Sequence, residues 1–331
     1  MKNIRGTILT ASLLAALTLA VSAPLRAGGL EVPSEVRRAL DSIYAGDPGA
    51  AIPAARTLQQ AQPDKPLGFA LEGEALWWKR YCADYEIKYG IADSWKRGKK
   101  PEDEAYLALA SKVTRLAEAQ IAKSDTAEMH FYAGLGWMLK ARVYALRGEN
   151  RNVARAGVSA RAQMLRALEL DPQMADAAAA LGIYNYYVDT LSPLVKLLRF
   201  FMGIPAGDKV KGVQQMETAM NHGALLDIDV RFVLARALRQ YDQKYQEAFT
   251  IAQPLVARYP HSPMFLLLLG NINVEMGHAD QAAEYFHAIL DLPPPPASSP
   301  CSPCPDCPSC DADPCLTRAR ELAKAFLTAN R

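Results

Sequence analysis

The sequence predicts an all-α fold, an array of paired helices closed by a terminal helix. Three observations carry the expectation. Hydrophobic residues fill 50% of the 331 positions, Ala is abundant and β-branched runs are scarce, which favours helices packed through small side chains. Helix start and stop residues punctuate nearly the whole chain from Val32 onward. The stretches 229–262 and 263–296 carry matching residue types in one register.

That register can be read residue by residue. In a 34-residue unit from Pro263, Leu269 and Gly270 take the seventh and eighth places, Ala282 the twentieth, Phe286 the twenty-fourth and Pro294 the thirty-second. Gly270 and Ala282 are small where the two helices of a hairpin cross closely, and Phe286 fills the gap towards the next hairpin. Gly277 releases the first helix and Pro294 ends the second. One period earlier, Ala235, Ala248, Ala252, Leu255 and Pro260 occupy the matching slots of the unit from Asp229. On these residues the chain resembles the tetratricopeptide repeat (TPR) proteins. The resemblance implies a right-handed α-solenoid of TPR-like helical hairpins with a C-terminal capping helix. It is strong over residues 175–296, weaker over 34–172, and absent from two inserted segments described below.

At the N-terminus, Lys2 and Arg5 precede an apolar run, residues 8–21, too short to span a bilayer comfortably. Small residues follow, with Ala23 and Ala27 as cleavage candidates and Ala27 favoured because Pro24 would follow the earlier cut. Residues 1–27 read as an export signal, with an uncleaved anchor as the alternative. The expected destination is an oxidising compartment, the bacterial periplasm. The formal charge is +2, and removing Lys2, Arg5 and Arg26 leaves the remainder near −1. Such a balance gives no electrostatic case for nucleic acid.

Residues 28–172 read as degenerate hairpins. Ser34 is the expected N-cap of a first helix ending at Gly46, and a second helix stops before Pro63 and Pro66. A long helix over 66–90 carries Trp77, Tyr81, Tyr85 and Tyr89 at every fourth position, with Trp78 and Cys82 beside them. This aromatic stripe supplies either a ligand-facing wall or packing against the next hairpin. Lys96, Arg97, Lys99 and Lys100 fill the following connector, and a helix starts at Pro101 with acidic residues in its first turn. The segment 126–147 is rich in Ala, Gly and aromatics, and 152–170 is its partner; Ala167 and Pro172 fall at repeat positions.

Residues 173–292 form the clearer repeats. The unit from Ala175 again places Leu181 and Gly182 at the seventh and eighth positions. It is then interrupted by an apolar insert, residues 189–207, with Leu194, Val195, Phe200, Phe201 and Met202. An insert on one face of a solenoid is where specific function usually resides. This one suits a grip on a partner or peripheral membrane contact, or it folds back over the array.

Residues 293–314 are Pro-rich and carry Cys301, Cys304, Cys307 and Cys310 at even spacing, with Cys315 beyond them. C-x-x-C pairs can hold zinc or an iron–sulfur cluster. In a polyproline II conformation the four would lie along one edge, about 9 Å apart and too far for bonding between neighbours. Disulfides would need a bend, a partner chain or pairing to Cys82. A linker without further role, mixed thiols and a metal site all remain open. Residues 315–331 form the last helix, with Leu316, Ala319, Leu322, Ala323, Phe326 and Leu327 on one face and charges on the other.

No nucleophile elbow, zinc-protease, phosphate-loop or dinucleotide motif occurs, the five histidines are scattered, and no cofactor is expected. The chain therefore reads as non-catalytic. In carboxylate-binding members of the resembled family, Lys and Asn line the inner face; here Asn271 matches the Asn, but Leu267 stands in place of the Lys. The resemblance also puts Tyr186, Tyr187 and Tyr241 on the inner face. It implies a protein-interaction scaffold of the cell envelope, with a protein or peptide held in an aromatic, apolar groove and at Phe200 and Phe201. The alternatives are presentation of a Cys-rich metal or redox segment, or membrane association through the insert.

Overall fold

The computed structural model describes residues 29–84, 98–191, 196, 203–293 and 314–329. Within them are thirteen α-helices and no strand. The first hairpin pairs α1 (Ser34–Ala45) with α2 (Pro48–Ala61), and the second pairs α3 (Leu67–Asp84) with α4 (Glu102–Ile121). The third joins α5 (Ala127–Leu146) to α6 (Asn150–Leu170), and the fourth joins α7 (Ala175–Thr190) to α8 (Lys209–His222). In the fifth, α9 (Asp227–Ala237) runs through a π-turn, Leu238–Asp242, before α10 (Tyr245–Arg258). The sixth holds α11 (Pro263–Glu275) and α12 (Ala279–Asp291), and α13 (Pro314–Ala329) follows.

Local chemistry sets the helix ends. Gly46 ends α1 at φ 103°, a left-handed conformation that suits a residue without Cβ. Thr126 and Asp208 cap α5 and α8 by accepting the backbone N–H of Met129 and Lys211. Ser34 is not the expected cap of α1. It sits within the helix after Pro33, and its hydroxyl accepts from Arg38 instead. The sequence-expected insert also starts later, because α7 continues through Asp189 and Thr190 before Leu191. Phe200, Phe201, the signal segment and the cysteines from Cys301 to Cys310 lie outside the described residues.

Within hairpins the small residues let backbones touch. A Cβ on Gly182 would stand 2.8 Å from the Gly212 carbonyl oxygen, so α7 and α8 cross with nothing between them. Gly270 leaves room for the ring of Phe286, which in turn meets Phe326 of α13 at 4.5 Å between centroids.

Each helix packs on the next along the chain. A second set of contacts joins the first helices of successive hairpins: α1 to α3, α3 to α5, α5 to α7 and α7 to α9. Phe232 of α9 meets Phe265 of α11 at 5.8 Å, and Phe265 meets Tyr44 of α1 at 6.5 Å. The first helices thus form a closed inner ring. At the seam, Asp41 accepts hydrogen bonds from the Tyr259 hydroxyl (2.6 Å) and from Arg258 (3.0 Å). Aromatic side chains from α1, α3, α9 and α11 fill one part of the axis.

The last helix locks this closure. Leu316, Ala319 and Ala323 are buried, and α13 packs on α12, α11 and α3. A disulfide joins Cys315 to Cys82 of α3 with Cα atoms 4.9 Å apart, across 233 residues of sequence. Linking such distant residues constrains the unfolded chain. Cys82→Ser should lower stability by about 2–4 kcal/mol, read as an earlier urea midpoint without reductant. Variant and wild type should nearly coincide once both are reduced.

Candidate functional site

Beside the aromatic plug the ring leaves a pocket of about 220 Å³ that opens to solvent, lined by α3, α5, α6, α7 and α9. Six of the lining residues are aromatic: Trp77, Trp78 and Tyr81 from α3, Tyr184 and Tyr187 from α7, and Phe232 from α9. The helical repeat explains the shared face. Trp77 and Tyr81 are four apart and stack at 5.1 Å, while Trp78 turns into the core and meets Phe232 and Tyr44. Of the stripe, Trp77 and Tyr81 line the pocket, while Tyr85 and Tyr89 lie outside the described residues.

Arg142 lies at the centre of one charged part of the wall. Its guanidinium donates to Glu74 at 2.6 Å and to Asp229 at 2.7 Å, and lies 5.2 Å from the Trp77 ring centre. Trp78 Nε1–H donates to the other Glu74 oxygen at 2.8 Å. Two carboxylates share one guanidinium in a dry site. Burial accordingly pushes the Glu74 carboxyl above its ordinary value, Arg142 opposes that shift and Asp229 adds to it. Burial works against the charge on Arg142, yet Glu74 and Asp229 hold it above the ordinary arginine value.

Two further arginines line the pocket. Arg236 donates to the Tyr187 hydroxyl at 3.1 Å and lies 5.6 Å from the Tyr81 ring centre. Arg161 lies 5.7 Å from the Tyr184 ring centre, and its Nε is shielded from solvent without a hydrogen-bond acceptor among the described residues.

The three sequence-selected tyrosines come together but face different ways. Tyr186, Tyr187 and Tyr241 pack edge to face, with centroids 5.5 to 6.5 Å apart. Tyr186 is fully buried, and its hydroxyl donates to Asp242 in the π-turn at 3.0 Å. Burial and that carboxylate push the phenol well above its usual value. Tyr187 lines the pocket, and Tyr241, 38% exposed, packs against it with ring centres 5.8 Å apart. Asn271 stands apart on α11. It is 5% exposed, lines no part of this pocket, and its Nδ2 has no partner among the described residues.

Sequence reasoning missed Arg142, Arg161, Arg236 and Phe232. A faint signal existed, since Arg142 and Arg236 interrupt stretches otherwise rich in Ala, Leu and Val. Among the described residues no group of three His, Cys, Asp or Glu is arranged to hold a metal ion, and no helix is long and apolar enough to cross a membrane. A scan against models of protein families finds no match to this chain, and a search of curated proteins finds none either.

Replacing Arg142 by Met would leave Glu74 and Asp229 buried without a counter-charge. The cost should be about 3–5 kcal/mol in urea denaturation. Adding Glu74→Gln and Asp229→Asn to that variant should recover a large part of the loss.

Proposed function

We propose that the chain is an exported, non-catalytic binding protein of the tetratricopeptide type, a right-handed array whose inner face receives a protein or peptide partner. Three features support the reading. The residues in repeat register lie on α9 to α12, which pack as paired helices. The Cys82–Cys315 bond suits an oxidising compartment, as does the signal-like N-terminus. The observation that carries the proposal is the solvent-open pocket, whose aromatic walls come from separate hairpins and so are positioned by the whole ring. Aromatic side chains in a recess on rigid helices are the usual anchors for a partner's apolar side chain. Tyr241, 38% exposed and packed against Tyr187, extends the aromatic surface beyond the recess.

Site-specific photo-crosslinking in intact cells tests this. A photoreactive residue in place of Tyr241, on the rim, should capture a defined protein or peptide. The same residue in place of Gln246, exposed on the outer helix α10, should not capture it. Identical adducts at both positions, or none at either, would contradict the proposal.

A further inference from the structure

The contact at the centre of the ring pairs one cation with two anions. The two terminal nitrogens of the Arg142 guanidinium, on α5, donate to Glu74 of α3 and to Asp229 of α9. Both carboxylates are shut away from bulk water, Glu74 at 7% and Asp229 at 2% exposure. The Glu74 oxygen that Arg142 does not hold accepts from Trp78 Nε1–H, a neutral donor.

The groups facing this contact from the neighbouring elements are mostly neutral or paired elsewhere. From α1 and α4 come the phenols of Tyr44 and Tyr106, which burial keeps protonated. From α11 comes the apolar ring of Phe265, against Trp78. Asp227, two residues before Asp229, adds a further carboxylate, with Arg258 of α10 at 3.7 Å from it. Arg80 of α3 pairs with Asp103 of α4, and Arg236 of α9 donates to Tyr187. On the α2 side it is Glu72 that meets Arg56, and α13 is bonded to α3 two turns further on, at Cys82. Arg142 is thus the cation that both carboxylates touch.

Two carboxylates on one guanidinium in a dry site favour protonation of one of them. Asp229 lies in the first turn of α9, whose positive end favours the ionised form. Glu74 lies in mid-helix without that help. Burial pushes its carboxyl above the ordinary value, Arg142 opposes the shift, and Asp229 adds to it. Because Arg142 and Asp229 line the solvent-open pocket, a proton reaches the pair without unfolding of the ring.

We infer that the ring closes with a proton bound at Glu74, so that its central contact is a latch that tightens in acid and loosens in alkali. The inference rests on the geometry of the ring and is independent of what the pocket binds. In the unfolded chain Glu74 is an ordinary carboxyl, so the folded ring binds the proton more tightly. Ionisation costs nothing below the ordinary value; the cost grows as pH rises towards the raised value and is complete above it. Asp125 and Asp189, held below their ordinary value by hydrogen bonds from Arg166 and Lys196, lose their contributions at lower pH, outside this window. Glu128 and Asp227, both raised by burial, act in the same direction as Glu74, so the test turns on variants of the pair itself.

The full chain, disulfide intact, is followed by tryptophan fluorescence across pH and by urea denaturation at about pH 5 and about pH 9. Trp78 donates to Glu74 and Trp77 lies against Arg142, so both report on the latch. The wild type should show a fluorescence transition with its midpoint above the ordinary glutamate range. Glu74→Gln, which copies the protonated group, should lose that transition, and Asp229→Asn should move it to lower pH. Glu128→Gln should leave it in place. In urea, the midpoint of Glu74→Gln relative to wild type should rise from the acid to the alkaline condition. No such transition in the wild type, its persistence in Glu74→Gln, its loss in Glu128→Gln, or a urea difference that does not change with pH would overturn the inference. Should Glu74→Gln not fold, an unmoved midpoint in Asp229→Asn overturns it instead.

Discussion

The guanidinium of Arg142 reaches from α5 to Glu74 on α3 and to Asp229 on α9, so three hairpins share one buried charge. Separating any of them strands an ion in a dry site, at a cost comparable to much of a domain's net stability. Next to it, Tyr44, Trp78, Phe232 and Phe265 form a continuous aromatic cluster drawn from α1, α3, α9 and α11. Together the ion triad and the cluster fix how far the array can curl. An array of hairpins held only by neighbour contacts could open or close like a spring. Here contacts across the axis remove that freedom.

Closure is also what creates the pocket. Its walls come from α3, from the consecutive helices α5, α6 and α7, and from α9, and the contact of α3 with α9 through Trp78 and Phe232 is made across the ring. The stacked Trp77 and Tyr81 need Arg142 behind them, and Tyr187 is oriented by Arg236 in front. Tyr186 and Asp242 hold the π-turn after α9 against α7, which carries Tyr241 to the rim. The seam between α1 and α10 and the disulfide to α13 secure the far side of the same ring. Binding chemistry and global shape thus depend on the same few contacts.

Much of the helical layout was legible in the sequence, because caps, glycines and small-residue positions act locally. Gly46, Gly277 and Gly270 mark their helix ends and crossings through near-neighbour chemistry. The ring was not legible. Asp41 and Tyr259 are 218 positions apart, and Cys82 lies 233 from Cys315, so no local pattern announces either contact. The arginines of the pocket failed for a related reason. On a helix read by itself, Arg161 is one of several arginines, and only its packing against the next helix places it over Tyr184. The tyrosines were found because large aromatic groups stand out in an Ala-rich chain, but which of them faces solvent depended on Asp242, fifty-six residues beyond Tyr186.

That the two ends of the array are bonded, so that its first helices make a ring, is the claim on which pocket and function both rest. A double-mutant cycle between Asp41 and Tyr259 addresses it directly, using Asp41→Ala, Tyr259→Phe and the pair in urea denaturation. Bonded ends should give a coupling energy of about 1 kcal/mol or more, since the hydroxyl donates to a carboxylate. Strict additivity of the two substitutions would mean that α1 and α10 do not meet in solution, and the closed ring would have to be abandoned.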